Sequence, residues 1–203
     1  MTGVERRDVS LRTMTMEDID AVVALQIAFL EGSVVTELGV DFLKRFHGVA
    51  LRHASSRALV ATDAGGAVLG FVQASTNVHL FNNEVSRQVL LRLALSLMNP
   101  RRWRLAPQFV WHALTGREPQ PAIPAELLLL VVDASVRRHQ IGRQLVDALE
   151  KAFASEHVVL YRVAVRSHLT VARAFYLATG FVPEQELTVL GAPMTYLTKF
   201  VRA

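Results

Sequence analysis

The sequence predicts one α/β domain, 1–203, a mixed central sheet flanked by helices, with a helical insertion over about 78–124 between the third and fourth strands. Three observations carry this reading. The apolar run 127–132, bounded by Pro124 and Asp133, suits a strand covered on both faces. Helix-spaced Leu145, Val146, Leu149 and Phe153 follow it, and strand and helix patterns alternate from there to the C-terminus. Before it, Gly65-Gly66 separates two strand patterns, the signal of an antiparallel hairpin.

In chain order, residues 9–12 read as a first strand, and Thr15-x-x-Asp18 as a helix start of the capping-box type. Ile19, Val22, Val23 and Ile27 would be the inner face of that helix. A loop over 29–39 contains Glu31 and Glu37, and Phe42, Phe46, Val49 and Ala50 mark a second helix ending near His53. Strands are expected at 57–62 and 67–74. Within the insertion, 85–98 is apolar almost all round, and Asn99-Pro100 divides it from a second apolar helix carrying Trp103, Phe109 and Trp111. A helix of that kind must be buried in the core, in a dimer interface or over a binding site, and is too short and arginine-interrupted to span a bilayer. After a helix ending near Ser155 come a strand at 158–165, a helix at 171–178 closed by Gly180, and a hairpin of 187–190 with 194–201.

The chain has 203 residues and no cysteine, which excludes a disulfide framework, a thiolate metal site and a cysteine nucleophile. No apolar leader opens it, so a cytoplasmic location is expected. Net charge is +4. Six arginines against Glu84 and Glu118 put the same +4 within 78–124 alone, so the remainder is balanced. A local basic segment fits an acidic ligand, a partner or a membrane surface at least as well as nucleic acid, which is not expected as a partner. No Gly-x-Ser-x-Gly elbow, Walker loop or Gly-x-Gly-x-x-Gly fingerprint occurs, and the seven histidines form no pair at metal-ligand spacing, so no metal is expected.

The junction at 126–145 is where chemistry concentrates. The first N–H groups of a helix lack internal partners and sit at its positive end, so a strand running into a helix through Arg137, Arg138, His139, Gln140, Ile141, Gly142 and Arg143 is built to capture an anion such as a pyrophosphate. Gly142 lets a ligand approach the backbone. A solvated arginine cluster would leave the same residues, and chemistry alone does not choose.

Val131-Val132-Asp133 followed by Arg137-x-x-Gln140-x-Gly142-x-x-Leu145 resembles the acetyl-CoA-binding motif of the GNAT acetyltransferase superfamily, Gln/Arg-x-x-Gly-x-Gly/Ala. The sequence departs from it at Gln140, where the family usually has glycine and where a side chain would narrow the cradle. A second stretch, 172–181, is similar to the family's Asn-x-x-Ala-x-x-Phe-Tyr-x-x-x-Gly-Phe, with Leu169 in the asparagine position and Phe175, Tyr176, Gly180 and Phe181 in place.

The resemblance implies the GNAT acyl-CoA N-acyltransferase fold and transfer of an acetyl group from acetyl-CoA to a primary amine by direct attack. It implies cofactor contacts from Val131, Val132, the residues 137–143 and Phe175, with a backbone N–H near Val131 or Val132 on the thioester oxygen. Tyr176 falls where the family has its general acid. Glu126, 16 residues before Gly142, is similar in register to the strand glutamate that serves as base in histone-type members. Glu31 lies in a loop that walls the acceptor site in the family. A small-molecule amine or amino sugar is the expected acceptor; apart from the resemblance, a homodimer through the apolar insertion is one of the three burials left open for it. The alternative is a non-catalytic CoA-binding or protein-interaction module on the same fold.

Overall fold

The computed structural model describes residues 9–30, 39–96, 123–189 and 192–202. Their elements follow the expected order. β1 (Ser10–Thr13) leads through a 3-10 turn (Met16–Asp18) into α1 (Ile19–Phe29) and then α2 (Val40–Arg52). β2 (Ser56–Thr62) and β3 (Val68–Ser75) form the hairpin, followed by α3 (Val78–Ser96). β4 (Glu126–Val132), a 3-10 turn (Ala134–His139) and α4 (Ile141–Ser155) make the central junction. β5 (Leu160–Arg166), α5 (Thr170–Ala178), β6 (Val182–Val189) and β7 (Ala192–Phe200) complete the chain.

The seven strands form one sheet in the order β1-β2-β3-β4-β5-β7-β6. Only β4 and β5 run parallel; the other neighbours are antiparallel. Alternation sends side chains to two cores. One, under α4 and α5, gathers Leu127, Leu145, Leu149, Phe153, Tyr161, Val163, Tyr176 and Phe181. The other, under α1 and α2, gathers Val22, Val23, Leu43, Val60, Phe71 and Val131.

Local chemistry explains the element starts. The Thr15 N–H donates to Asp18 Oδ2 at 2.8 Å, the backbone half of the expected capping box. Arg12 donates to both oxygens of the same carboxylate at 2.7 Å, which holds Asp18 well below the usual carboxylate range, at about 2. In the hairpin turn Asp63 Oδ1 accepts from the N–H groups of Gly65 and Ala67 at 3.0 and 2.9 Å, and Gly66 takes a φ of 84°.

Three expectations are corrected. Ile27 is exposed, because α1 turns Leu25 and Gln26 inward instead. In α2 the buried residues are Leu43, His47, Gly48 and Ala50; Phe42, Phe46 and Val49 are only half-buried, a rotation that brings His47 to polar partners in the core. The helix after β3 begins at Val78, seven residues before the expected 85, where Asn77 Oδ1 accepts the Leu80 N–H at 3.2 Å and Val78 and Phe81 are buried. The Val78 N–H donates to the Pro124 carbonyl at 2.8 Å, so the segment leaves and rejoins the sheet at one place. The second helix expected after Asn99-Pro100 lies outside the described residues, as do Glu31 and Glu37.

Candidate active site

β4 and β5 pair only at Glu126↔Arg162 and Leu127↔Val163, although β4 continues to Val132 and β5 to Arg166. Beyond Leu127 the two strands part. On its other edge β4 stays bound to β3 as far as Gly70↔Val132, with one extra residue, Leu128, opposite the Gln73/Ala74 step. β3 comes so close there that a Cβ on Gly70 would lie 2.8 Å from the Val131 carbonyl oxygen. Glycine is required at that point.

The direction of the β4 amides follows from one bond. Asp133 N–H donates to the Leu69 carbonyl on β3 at 2.9 Å. Amides alternate along a strand, so Val131 also turns its N–H toward β3, while Leu130 and Val132 turn theirs into the gap left by β5. Of the two valines singled out by sequence, Val132 supplies the gap-facing donor. The Val131 side chain is buried under α1.

The turn after β4 is closed by Asp133, whose Oδ1 accepts the Ser135 N–H at 2.7 Å. Arg137, Arg138 and His139 lie in the 3-10 turn. Gln140 then adopts φ 59°, ψ 15°, the left-handed conformation that glycine takes without strain. Ile141 is fully buried and anchors the start of α4, and Gln144 N–H makes the first helical bond back to the Gln140 carbonyl at 3.0 Å. The N–H groups of Ile141, Gly142 and Arg143 therefore precede the helical ladder.

A Cβ on Gly142 would lie 3.3 Å from the Phe175 ring and 3.7 Å from Val132 Cγ2. Strand end, helix start and α5 thus converge on a cradle that a side chain would fill. Arg143 is exposed beside it. Next to Phe175, Tyr176 is buried, its ring edge-on to Phe175 and Phe181 at 5.3 and 5.2 Å between centroids. Burial alone pushes its hydroxyl well above the ordinary tyrosine value, so the phenol keeps its proton.

Glu126 stands at the crotch of the gap in an ion pair. Nε and Nη2 of Arg162 donate to its Oε2 at 2.8 and 2.7 Å. The guanidinium carbon lies 4.8 Å from the centre of the Tyr196 ring. Arg162, Arg166, Tyr196 and the Leu130 amide escaped the sequence reading. The alternation of Arg162 and Arg166 with buried Tyr161, Val163 and Val165 was the signal for the two arginines.

Residues 113–194 match the family model described as "Acetyltransferase (GNAT) domain", a span that holds the site residues from Glu126 to Tyr176. No curated protein matches the sequence. Among solved structures, Ard1 from Thermoplasma volcanium is similar at 18% identity and a TM-score of 0.61, over 96% of this chain and 99% of that one. An N-acetyltransferase from Staphylococcus aureus Mu50 gives 14% and 0.64 over 96% and 99%. The PaiA N-acetyltransferase of Thermoplasma acidophilum, solved in complex with coenzyme A, gives 14% and 0.59 over 93% and 98%. At such identities the likeness shows the fold. Sequence match and shared fold agree: residues 113–194 resemble a GNAT acetyltransferase domain, and the chain has the fold of these solved structures.

Proposed function

We propose that the chain is an N-acetyltransferase that moves the acetyl group of acetyl-CoA to a primary amine by direct attack, with a small-molecule amine or amino sugar as acceptor. The observation that carries this reading is the parting of β4 and β5, which turns the Leu130 and Val132 amides into a gap beside Gly142 and Phe175. The cradle fits the cofactor: amides ahead of the α4 ladder suit a pyrophosphate, and the missing Cβ at Gly142 leaves the approach to them clear. Bound there, the thioester would supply the acyl carbon.

The Leu130 and Val132 amides would stabilise charge on the thioester oxygen, as fixed donors in a water-poor gap. Tyr176 holds a proton at its hydroxyl and would pass it to the departing thiolate. Glu126 is engaged through Oε2 by Arg162, so we assign it to holding Arg162. A cytoplasmic location and a homodimer through the insertion belong to the same proposal. No described helix is long and apolar enough to cross a membrane.

The test is calorimetric titration of the full chain with acetyl-CoA, followed by turnover with an amine panel. Micromolar binding, lost in Gly142→Asp, is expected. Tyr176→Phe should keep that affinity and lose about 100-fold in kcat. Glu126→Gln should lower kcat without moving the acidic limb of its pH profile. Loss of that limb would make Glu126 the base. Absence of acetyl-CoA binding would leave an interaction module on a GNAT fold.

A further inference from the structure

β5 buries Tyr161, Val163 and Val165 in the core under α4 and α5. Alternation puts Arg162, Ala164 and Arg166 on the opposite face, the side on which α1 packs over β3 and β4. β7 runs beside them and pairs Thr198, Tyr196 and Met194 with Arg162, Ala164 and Arg166. The two arginines are not equivalent. Arg162 has its charge matched by Glu126 and its guanidinium carbon over the Tyr196 ring. Arg166 is half-buried and has no carboxylate at ion-pair distance among the described residues.

With Leu128 bulged out, Val131 lies about four strand steps beyond the paired Glu126, as Arg166 does beyond Arg162, so Arg166 stands level with the 130–132 stretch across the gap. An amine approaching the Leu130 and Val132 amides therefore meets one partly desolvated guanidinium on the facing wall that no carboxylate among the described residues neutralises. Glu126 is the only acidic residue in β4, β5 and β7, and its charge is taken up by Arg162. A polycationic amine would find no free carboxylate on these three strands. A phosphate, with up to two negative charges, would be left half-matched by a single guanidinium.

We propose that the acceptor is an amine carrying one carboxylate, of the amino-acid type, and that Arg166 binds that carboxylate through its planar fork. This rests on the acetyltransferase reading above and specifies its substrate class. Arg162 is a positioning residue: fixed by Glu126 and Tyr196, it shapes the floor of the gap below Arg166.

The experiment compares kcat/KM for the twenty L-amino acids, their carboxamides and spermidine, using the full chain and acetyl-CoA and following CoA release. The preferred amino acid should exceed its carboxamide at least tenfold, through KM, and exceed spermidine. Arg166→Gln should abolish that ratio by weakening the acid far more than the carboxamide, and Arg166→Lys should restore part of it. If Arg166→Gln does not fold, the wild-type ratio decides. Equal use of acid and carboxamide, or preference for spermidine, overturns the proposal. Acetyl-CoA binding with no acceptor acetylated overturns it too and leaves the cofactor site standing. No acetyl-CoA binding at all overturns the acetyltransferase reading together with it.

Discussion

The two faces of the sheet hold their helices with opposite chemistry. Under α1 and α2, His47 is fully buried, its Nδ1 2.8 Å from Gln73 Oε1 and its Nε2 2.7 Å from Gln26 Oε1. Desolvation pushes this imidazole down to about 4, so it is neutral at pH 7. A neutral ring has one N–H, and one of the two amides must therefore turn its NH2 group toward it. Under α4, the buried Lys199 and Glu150 form an ion pair, Tyr161 OH donates to Glu150 Oε1 at 2.7 Å, and the ammonium lies 5.6 Å from the Phe181 ring centre. Inside the core, α1 and α2 are tied by uncharged groups that acid can disrupt. Helix α4 is tied by charges already matched.

The largest effect should come from unmatching those charges. Lys199→Met strands Glu150 in the core and should cost about 3–5 kcal/mol in denaturant unfolding, whereas Lys199→Met with Glu150→Leu should recover most of it. A single-variant cost below about 1 kcal/mol would show that the pair reaches water and would dissolve the contrast. Next comes acid. The unfolded chain protonates its histidines near pH 6.5 while folded His47 resists down to about 4. Its contribution is thus fully present above about 6.5 and lost as pH falls toward 4, by about 3 kcal/mol. Subtracting the same titration of His47→Asn isolates it, and a flat difference would mean that the ring is charged in the folded state. The smallest effect lies at the start of α4. Gln140→Gly removes left-handed strain of about 1 kcal/mol, partly offset by unfolded-chain entropy, and should raise Tm slightly, while Gln140→Val should lower it.

That junction was legible because its signals are local. An apolar run, a helical stripe and one glycine within twenty residues give strand, turn and helix without knowledge of anything distant. Gln140 shows the limit. As a departure from a motif it reads as an obstruction in the cradle; its φ of 59° shows that the motif's glycine answers a backbone requirement, which Gln140 meets with strain. The His47 cluster was illegible, since its partners lie 21 and 26 residues away and each alone looks like a surface residue of a helix or strand. The same holds for Glu150 and Lys199, brought together only by the closing hairpin. The misplaced start of α3 had a readable signal in Asn77, a good helix cap, passed over because the apolar stretch begins later.

The hydrogen bond between Val78 and Pro124 makes the long excursion after β3 a graft with a single stem. Both ends of the intervening chain are already together, so its length bears little on the entropy of closing the sheet, which grows only with the logarithm of loop size. The entropic cost of lengthening or shortening this excursion is therefore small.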